Sequence, residues 1–237
     1  VAAPPAPAPE LQATPEEMGD AYMAHQRYQA AIQSYQSAPA KNADLWNKIG
    51  IAYQLMFNND EAERCYKRAL KLDSKNADVL NNMGSVYMEL KLYGAAERSY
   101  RKAVKLSPKS ALFHKNLGTA LLAQRHYKKG WQAYQAALAL DATVFSHPAG
   151  LRVQNPASLE DRGAMNFYMA KSCAQAGLNA QAVEYLRLAL NEGFINPKKI
   201  LADTEFAKLR DDPAFQQLMA SQGVELTPLS AHPPVQQ

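Results

Sequence analysis

Catalysis needs nucleophiles, bases or ligands gathered at workable spacings, and in this chain the residues that could supply them stand apart. His25, His114, His126, His147 and His232 are scattered over 237 residues, and no serine, cysteine or carboxylate accompanies them at a spacing that builds a nucleophile and its base. Cys65 and Cys173 show no metal-ligand spacing. One grouping could act: if the segment 145–162 folds back, His147 would meet Glu160 and Asp161 and suit a hydrolase. Isolated polar residues in long loops are common, so the sequence predicts no enzyme, no metal and no cofactor. The chain is better supplied with side-chain amides and cations. Asparagine offers donors and an acceptor to a peptide backbone, and lysine and arginine attract anions, so these groups recognise partners and do not transform them.

The elements that must position those groups follow from a period. NKIG ends at Gly50, NNMG at Gly84 and KNLG at Gly118, each 34 residues after the last. With these glycines as the eighth residue of a unit, position 20 holds Ala62, Ala96 and Gly130, position 24 holds Tyr66, Tyr100 and Tyr134, and position 27 holds Ala69, Ala103 and Ala137. Position 30 is Leu72, Leu106 and Leu140. Apolar residues recur at helical spacing in two blocks per unit, split near position 15, so each unit reads as a helical hairpin. A helical glycine costs about 1 kcal/mol relative to alanine, which predicts a close approach to the small residues at positions 20 and 27. Thr14 with Glu17, and Asp60 with Glu63, have the spacing of N-terminal caps.

Trp46, Ile49, Gly50, Tyr53, Ala62, Tyr66 and Ala69, followed by Leu80, Met83, Gly84, Tyr87, Tyr93, Ala96, Tyr100, Ala103 and Pro108, closely resemble the tetratricopeptide repeat in period and residue type. The resemblance implies an all-α, right-handed superhelical solenoid. Strict units span 43–76, 77–110 and 111–144, a shortened one spans 12–42, and a degenerate fifth spans 163–196 after the inserted loop 145–162. Residues 197–222 read as capping helices, with Asp203 and Asp212 as caps, because a terminal repeat must cover its apolar face. The Ala/Pro-rich stretch 1–11 reads as a linker and 223–237 as a disordered tail.

The resemblance also implies that positions 2, 5, 6, 9, 12 and 13 face a concave groove, and hence that the chain is a non-catalytic scaffold for a protein or peptide. The expected groove comprises Asn47, Lys48, Ile51, Asn81, Asn82, Ser85, Met88, Lys115, Asn116, Thr119 and Leu122. Its asparagines would pair the polar groups of an extended or helical segment, its lysines would favour acidic residues, and Ile51, Met88 and Leu122 would supply apolar contact. The arrangement of cations in the family's chaperone-binding carboxylate clamp is missing in either frame, so a C-terminal carboxylate ligand is not expected.

The second helices suggest an alternative. Arg64, Lys67, Arg68 and Lys71 occupy positions 22, 25, 26 and 29, and Arg98, Arg101, Lys102 and Lys105 repeat them, which makes a convex basic ridge able to meet an anionic surface or nucleic acid. The neighbouring Tyr66 and Tyr100 fall at core positions and leave no stacking platform, so nucleic acid is not expected and a solvated face is the plainer reading. A net charge of +4 does not by itself argue for nucleic acid. No apolar run is long enough for a membrane helix. The repeat phase puts Cys65 and Cys173 about three units apart, too far for a disulfide, so both are expected as packed free thiols. A first residue that is not Met fits an exported chain whose signal peptide has been removed, or a chain cut back to a domain, with export preferred. Self-association through an incompletely capped end is also compatible with the pattern.

Overall fold

The computed structural model describes residues 13–145 and 159–224, and within them the regular elements are all helical. Five hairpins follow one another: α1 (Pro15–Ala24) with α2 (Tyr28–Ser37), α3 (Ala43–Leu55) with α4 (Asn59–Leu72), α5 (Ala77–Glu89) with α6 (Tyr93–Leu106), α7 (Ala111–Ala123) with α8 (Tyr127–Leu140), and α9 (Leu159–Gln175) with α10 (Asn179–Asn191). Each second helix also packs on the first helix of the next unit, which stacks the hairpins in order. The linker at 1–11 and nearly all of the tail lie outside the described residues, as does most of the inserted segment. The insertion is shorter than the sequence suggests, because α9 begins at Leu159.

Local chemistry fixes where each helix begins. The first helices of three units are capped from position 34 of the preceding unit: Asn42 accepts from the Leu45 amide, Asn76 from Val79 and Ser110 from Phe113. The next residue in that column is Val144, which has no oxygen to offer, and here the 34-residue period fails and the insertion begins. Thr14 and Glu17 form the expected capping box, each satisfying the other's backbone amide. The expectation for Asp60 needs correction: Asn58 caps α4 through the Glu61 amide, and Asp60 sits inside the first turn.

The hairpin turn is equally regular. Gln26, Phe57, Lys91 and Arg125, all at position 15, adopt φ between 57 and 60°, and Gly177 at the same place has φ +75°. A left-handed residue is the shortest way to reverse the chain between two packed helices. Only in the fifth unit is it a residue without the steric cost of a Cβ.

The glycines at position 8 do mark close approaches, with a different principal partner from the one expected. An added Cβ would meet the tyrosine ring at position 24 of the same unit, at 2.5 Å for Gly50 against Tyr66 and 2.6 Å for Gly84 against Tyr100. Small residues alone do not make the fit; an aromatic ring fills the space beside the glycine. Gly118 also meets position 20, at 3.1 Å from the carbonyl oxygen of Gly130. Tyr35, Tyr66, Tyr100 and Tyr134 are accordingly buried, one per unit.

The far end of the stack is closed by α11 (Pro197–Ala202), a 3-10 turn (Thr204–Leu209) and α12 (Pro213–Ser221). Asp203 and Asp212 cap the turn and α12 as expected. Ile200, Phe206, Leu209, Phe215 and Met219 complete a core with Phe167, Cys173 and Leu186 of the last hairpin. Lys171 ties the two together, bonded to Asp203 at 2.8 Å with its ammonium 5.0 Å from the Trp131 ring centre.

Candidate functional site

Contacts between the units show which side is concave. First helices touch one another across units, α3 with α5, α5 with α7 and α7 with α9, whereas no comparable contact joins the second helices of the described units. The first helices therefore line the inner face, and the polar columns read from sequence lie along it.

Those columns are largely occupied with each other. Asn82 donates to the Asn47 carbonyl oxygen at 3.0 Å, Asn81 donates to Asn82 at 3.4 Å, and Asn116 donates to Asn81 at 2.8 Å. Position 5 of one unit thus bonds position 6 of the next, and the first junction repeats the rule with charge, where Lys48 meets Glu16 at 2.8 Å and Asp20 at 2.7 Å. Burial works to raise the Asp20 carboxyl, but hydrogen bonds from Lys48 and Tyr35 outweigh it and hold the group below its ordinary value. At the fourth junction Lys115 donates to the Val144 carbonyl at 3.0 Å, and burial lowers its pKa.

Position 9 has a second task. The buried tyrosine of each unit needs a partner for its hydroxyl, and Asp20, Ser85 and Thr119 provide it to Tyr35, Tyr100 and Tyr134 at 2.7, 3.1 and 3.0 Å. In the second unit Ile51 cannot, so Tyr66 donates instead to Gln54, which in turn donates to Glu89 of the next unit.

Several expected groove residues are therefore corrected. Asn81, Ser85, Met88, Asn116, Thr119 and Leu122 are all buried: Asn81, Asn116, Met88 and Leu122 pack at the junctions between units, and Ser85 and Thr119 serve the tyrosine of their own unit. Lys48 and Lys115 hold internal partners. Asn47, Ile51 and Asn82 remain half-exposed on the inner face. The signal for this was present in the sequence, since a residue at position 5 and its complement at position 6 one unit later recur as Glu16 with Lys48, Asn47 with Asn82 and Asn81 with Asn116.

Asn81→Ala is expected to destabilise the stack by about 1–3 kcal/mol, because it strands the buried Asn116 amide. The Asn81→Ala/Asn116→Ala pair should cost less than the sum of the single changes in urea unfolding. Strict additivity would show that the two do not act as a bonded pair.

The ridge residues, by contrast, are exposed as expected. Arg64, Lys67 and Arg101 pair with Glu61, Glu63 and Glu97 of their own helices. Arg68 lies over the Trp46 ring, 4.6 Å from its centre.

Cys65 and Cys173 are buried free thiols, pushed up by burial to about 11 and about 12, which makes them poor nucleophiles. His147 lies outside the described residues, as do the side chains of Glu160 and Asp161. No group of three or more metal-ligating side chains occurs among the described residues.

The family pattern described as tetratricopeptide repeat matches residues 43–76 and 77–110, the same bounds that the glycine and tyrosine columns give. Residues 43–110 are two tetratricopeptide repeats. The flanking hairpins continue the tetratricopeptide stack, with Gly19 against Tyr35 and Gly118 against Tyr134 repeating its central contact. Solved tetratricopeptide structures share the architecture. The chain is similar to the crystal structure of MamA, 19% identical with a TM-score of 0.52 over 78% of this chain and 98% of that one. It is also similar to pilF of Pseudomonas aeruginosa, 22% identical with a TM-score of 0.56 over 88% and 87%. No curated protein matches the chain. A tetratricopeptide solenoid supports a protein–protein interaction scaffold, because it offers extended surfaces on a rigid frame.

Proposed function

We propose that the chain is a non-catalytic scaffold whose inner face, between the second and third units, binds an extended or helical segment of another protein. The observation that supports this reading is the patch formed by Asn47, Ile51 and Asn82, which remains half-exposed where the rest of the polar row is closed. Asn47 accepts from Asn82, and its own amide nitrogen has no partner among the described residues, so it can donate to a backbone carbonyl. Ile51 stands where its neighbours serve a tyrosine hydroxyl, and it gives the patch an apolar centre. Asp44 and Asp78 at position 2 are exposed beside it. With Lys48 and Lys115 already partnered, the free charge at this place is negative, so the ligand should carry a cation, not the acidic residues expected from sequence.

Selection of a displayed random-peptide library on the intact chain tests this. Selected peptides should be enriched in Lys or Arg next to an apolar residue. Ile51→Glu and Asn82→Ala should each weaken the best of them about tenfold, in line with a truncated contact of 1–2 kcal/mol. Unchanged affinity in both variants, at unchanged helicity, would remove the inner face from consideration.

A further inference from the structure

The outer ends of the second helices carry a feature that neither the stacking nor the inner face uses. Lys71, Lys102 and Lys105 are exposed, and no carboxylate pairs with them among the described residues. Lys71 and Lys105 stand in the last turns of α4 and α6, where a cation offsets the helix dipole. That role does not extend to Lys102. Next to these cations the same helix ends project large aliphatic side chains. Leu72 is 58% exposed, Leu106 40%, and Leu140, at the equivalent place on α8, 43%. One exposed leucine needs no explanation. Three at the same repeat position, two of them directly following an exposed lysine and two directly followed by an aspartate, form an edge that is apolar throughout and carries unpaired lysines on α4 and α6.

Such an edge matches the boundary layer of an anionic bilayer, where phosphates attract lysine and the acyl boundary accepts aliphatic side chains. It matches nucleic acid less well. Tyr66 and Tyr100 are fully buried and cannot stack on bases, and leucines have no partner along a phosphate backbone. We propose that the edge formed by the C-terminal ends of α4, α6 and α8 docks peripherally on an anionic phospholipid surface, with Lys71, Lys102 and Lys105 at the phosphates and Leu72, Leu106 and Leu140 at the acyl boundary. Among the described residues no helix is long and apolar enough to cross a membrane, so attachment through this edge is interfacial. The edge belongs to the second helices and the inner face to the first, so the two sites use different residues.

The test is sedimentation of the full chain with vesicles of phosphatidylcholine alone or mixed equally with phosphatidylglycerol, at physiological salt. Binding is expected only with phosphatidylglycerol present. Lys71→Gln/Lys102→Gln/Lys105→Gln should weaken it on the order of a hundredfold, each cation contributing about fivefold. Leu72→Ser/Leu106→Ser/Leu140→Ser should weaken it too, whereas raised salt should weaken the wild type and the leucine variant alike and have little further effect on the lysine variant. All six side chains are exposed, so both variants should keep the wild-type circular dichroism. Equal binding to phosphatidylcholine, or retention of full binding by either variant, overturns the proposal. Binding to duplex DNA with no binding to anionic vesicles overturns it in favour of nucleic acid.

Discussion

Gly118→Ala is expected to destabilise the protein by about 2 kcal/mol, although alanine is the better helix former. Helix propensity alone favours alanine by about 1 kcal/mol. Against this, the new Cβ would lie 2.4 Å from the Tyr134 ring and 3.1 Å from the Gly130 carbonyl oxygen. The ring has nowhere to go, since it is 1% exposed, its hydroxyl is bonded to Thr119, and Phe145 lies edge-on to it at 5.0 Å. The carbonyl belongs to the backbone of α8 and can move only if the two helices part. Overpacking of this kind costs about 1–3 kcal/mol, and a rigid obstacle on each side puts Gly118 at the upper end. Gly94 is the control. It lies in the first turn of α6, and a Cβ there would meet nothing closer than 3.6 Å, so Gly94→Ala should stabilise by a few tenths to about 1 kcal/mol. Opposite signs in urea midpoints at the two glycines would show that position 8 is held by the ring and not by helix preference. A stabilising Gly118→Ala would refute the contact.

The same contact explains why the fold was legible. A glycine under a tyrosine ring can be met by few other pairs, so Gly50, Gly84 and Gly118 recur with Tyr66, Tyr100 and Tyr134, and the period stands out in a single sequence. The inner face was harder to read for a physical reason. Asparagine, serine and threonine look alike whether they await a ligand or satisfy a neighbour, and only the stacking of units brings Asn116 to Asn81 or Thr119 to the Tyr134 hydroxyl. A buried tyrosine demands a hydroxyl partner. That demand, applied to each unit in turn, assigns Ser85 and Thr119 to the core and singles out Ile51 as the exception. The ridge needed no such correction, because charged side chains at outward positions of second helices have few places to go other than solvent. The turn at position 15 lay between these cases. The break between helices was visible, but four different residues share its left-handed conformation, so the side chains did not announce it.

Phe206→Ala should have the largest effect of any single substitution considered, about 3–5 kcal/mol, typical of emptying a buried aromatic site. Phe206 is 1% exposed and meets Phe167 edge-on at 5.8 Å, in the core that the last hairpin shares with the cap. Where the loss is felt is more informative than its size. In a stack whose units touch only their neighbours, stability is a sum of local terms and interfaces. The damage should therefore stay at one end. Hydrogen exchange should show α9, α10 and the cap opening far more often, with α3 to α6 protected as before. The bond from Lys171 to Asp203 marks the same boundary, because it is made only while the cap is seated. Loss of protection in all helices together would mean that the solenoid unfolds as one unit. In that case the cap would stabilise even the distant inner-face patch at Asn47 and Ile51, and peptide binding there should weaken in Phe206→Ala. Local opening predicts that it does not.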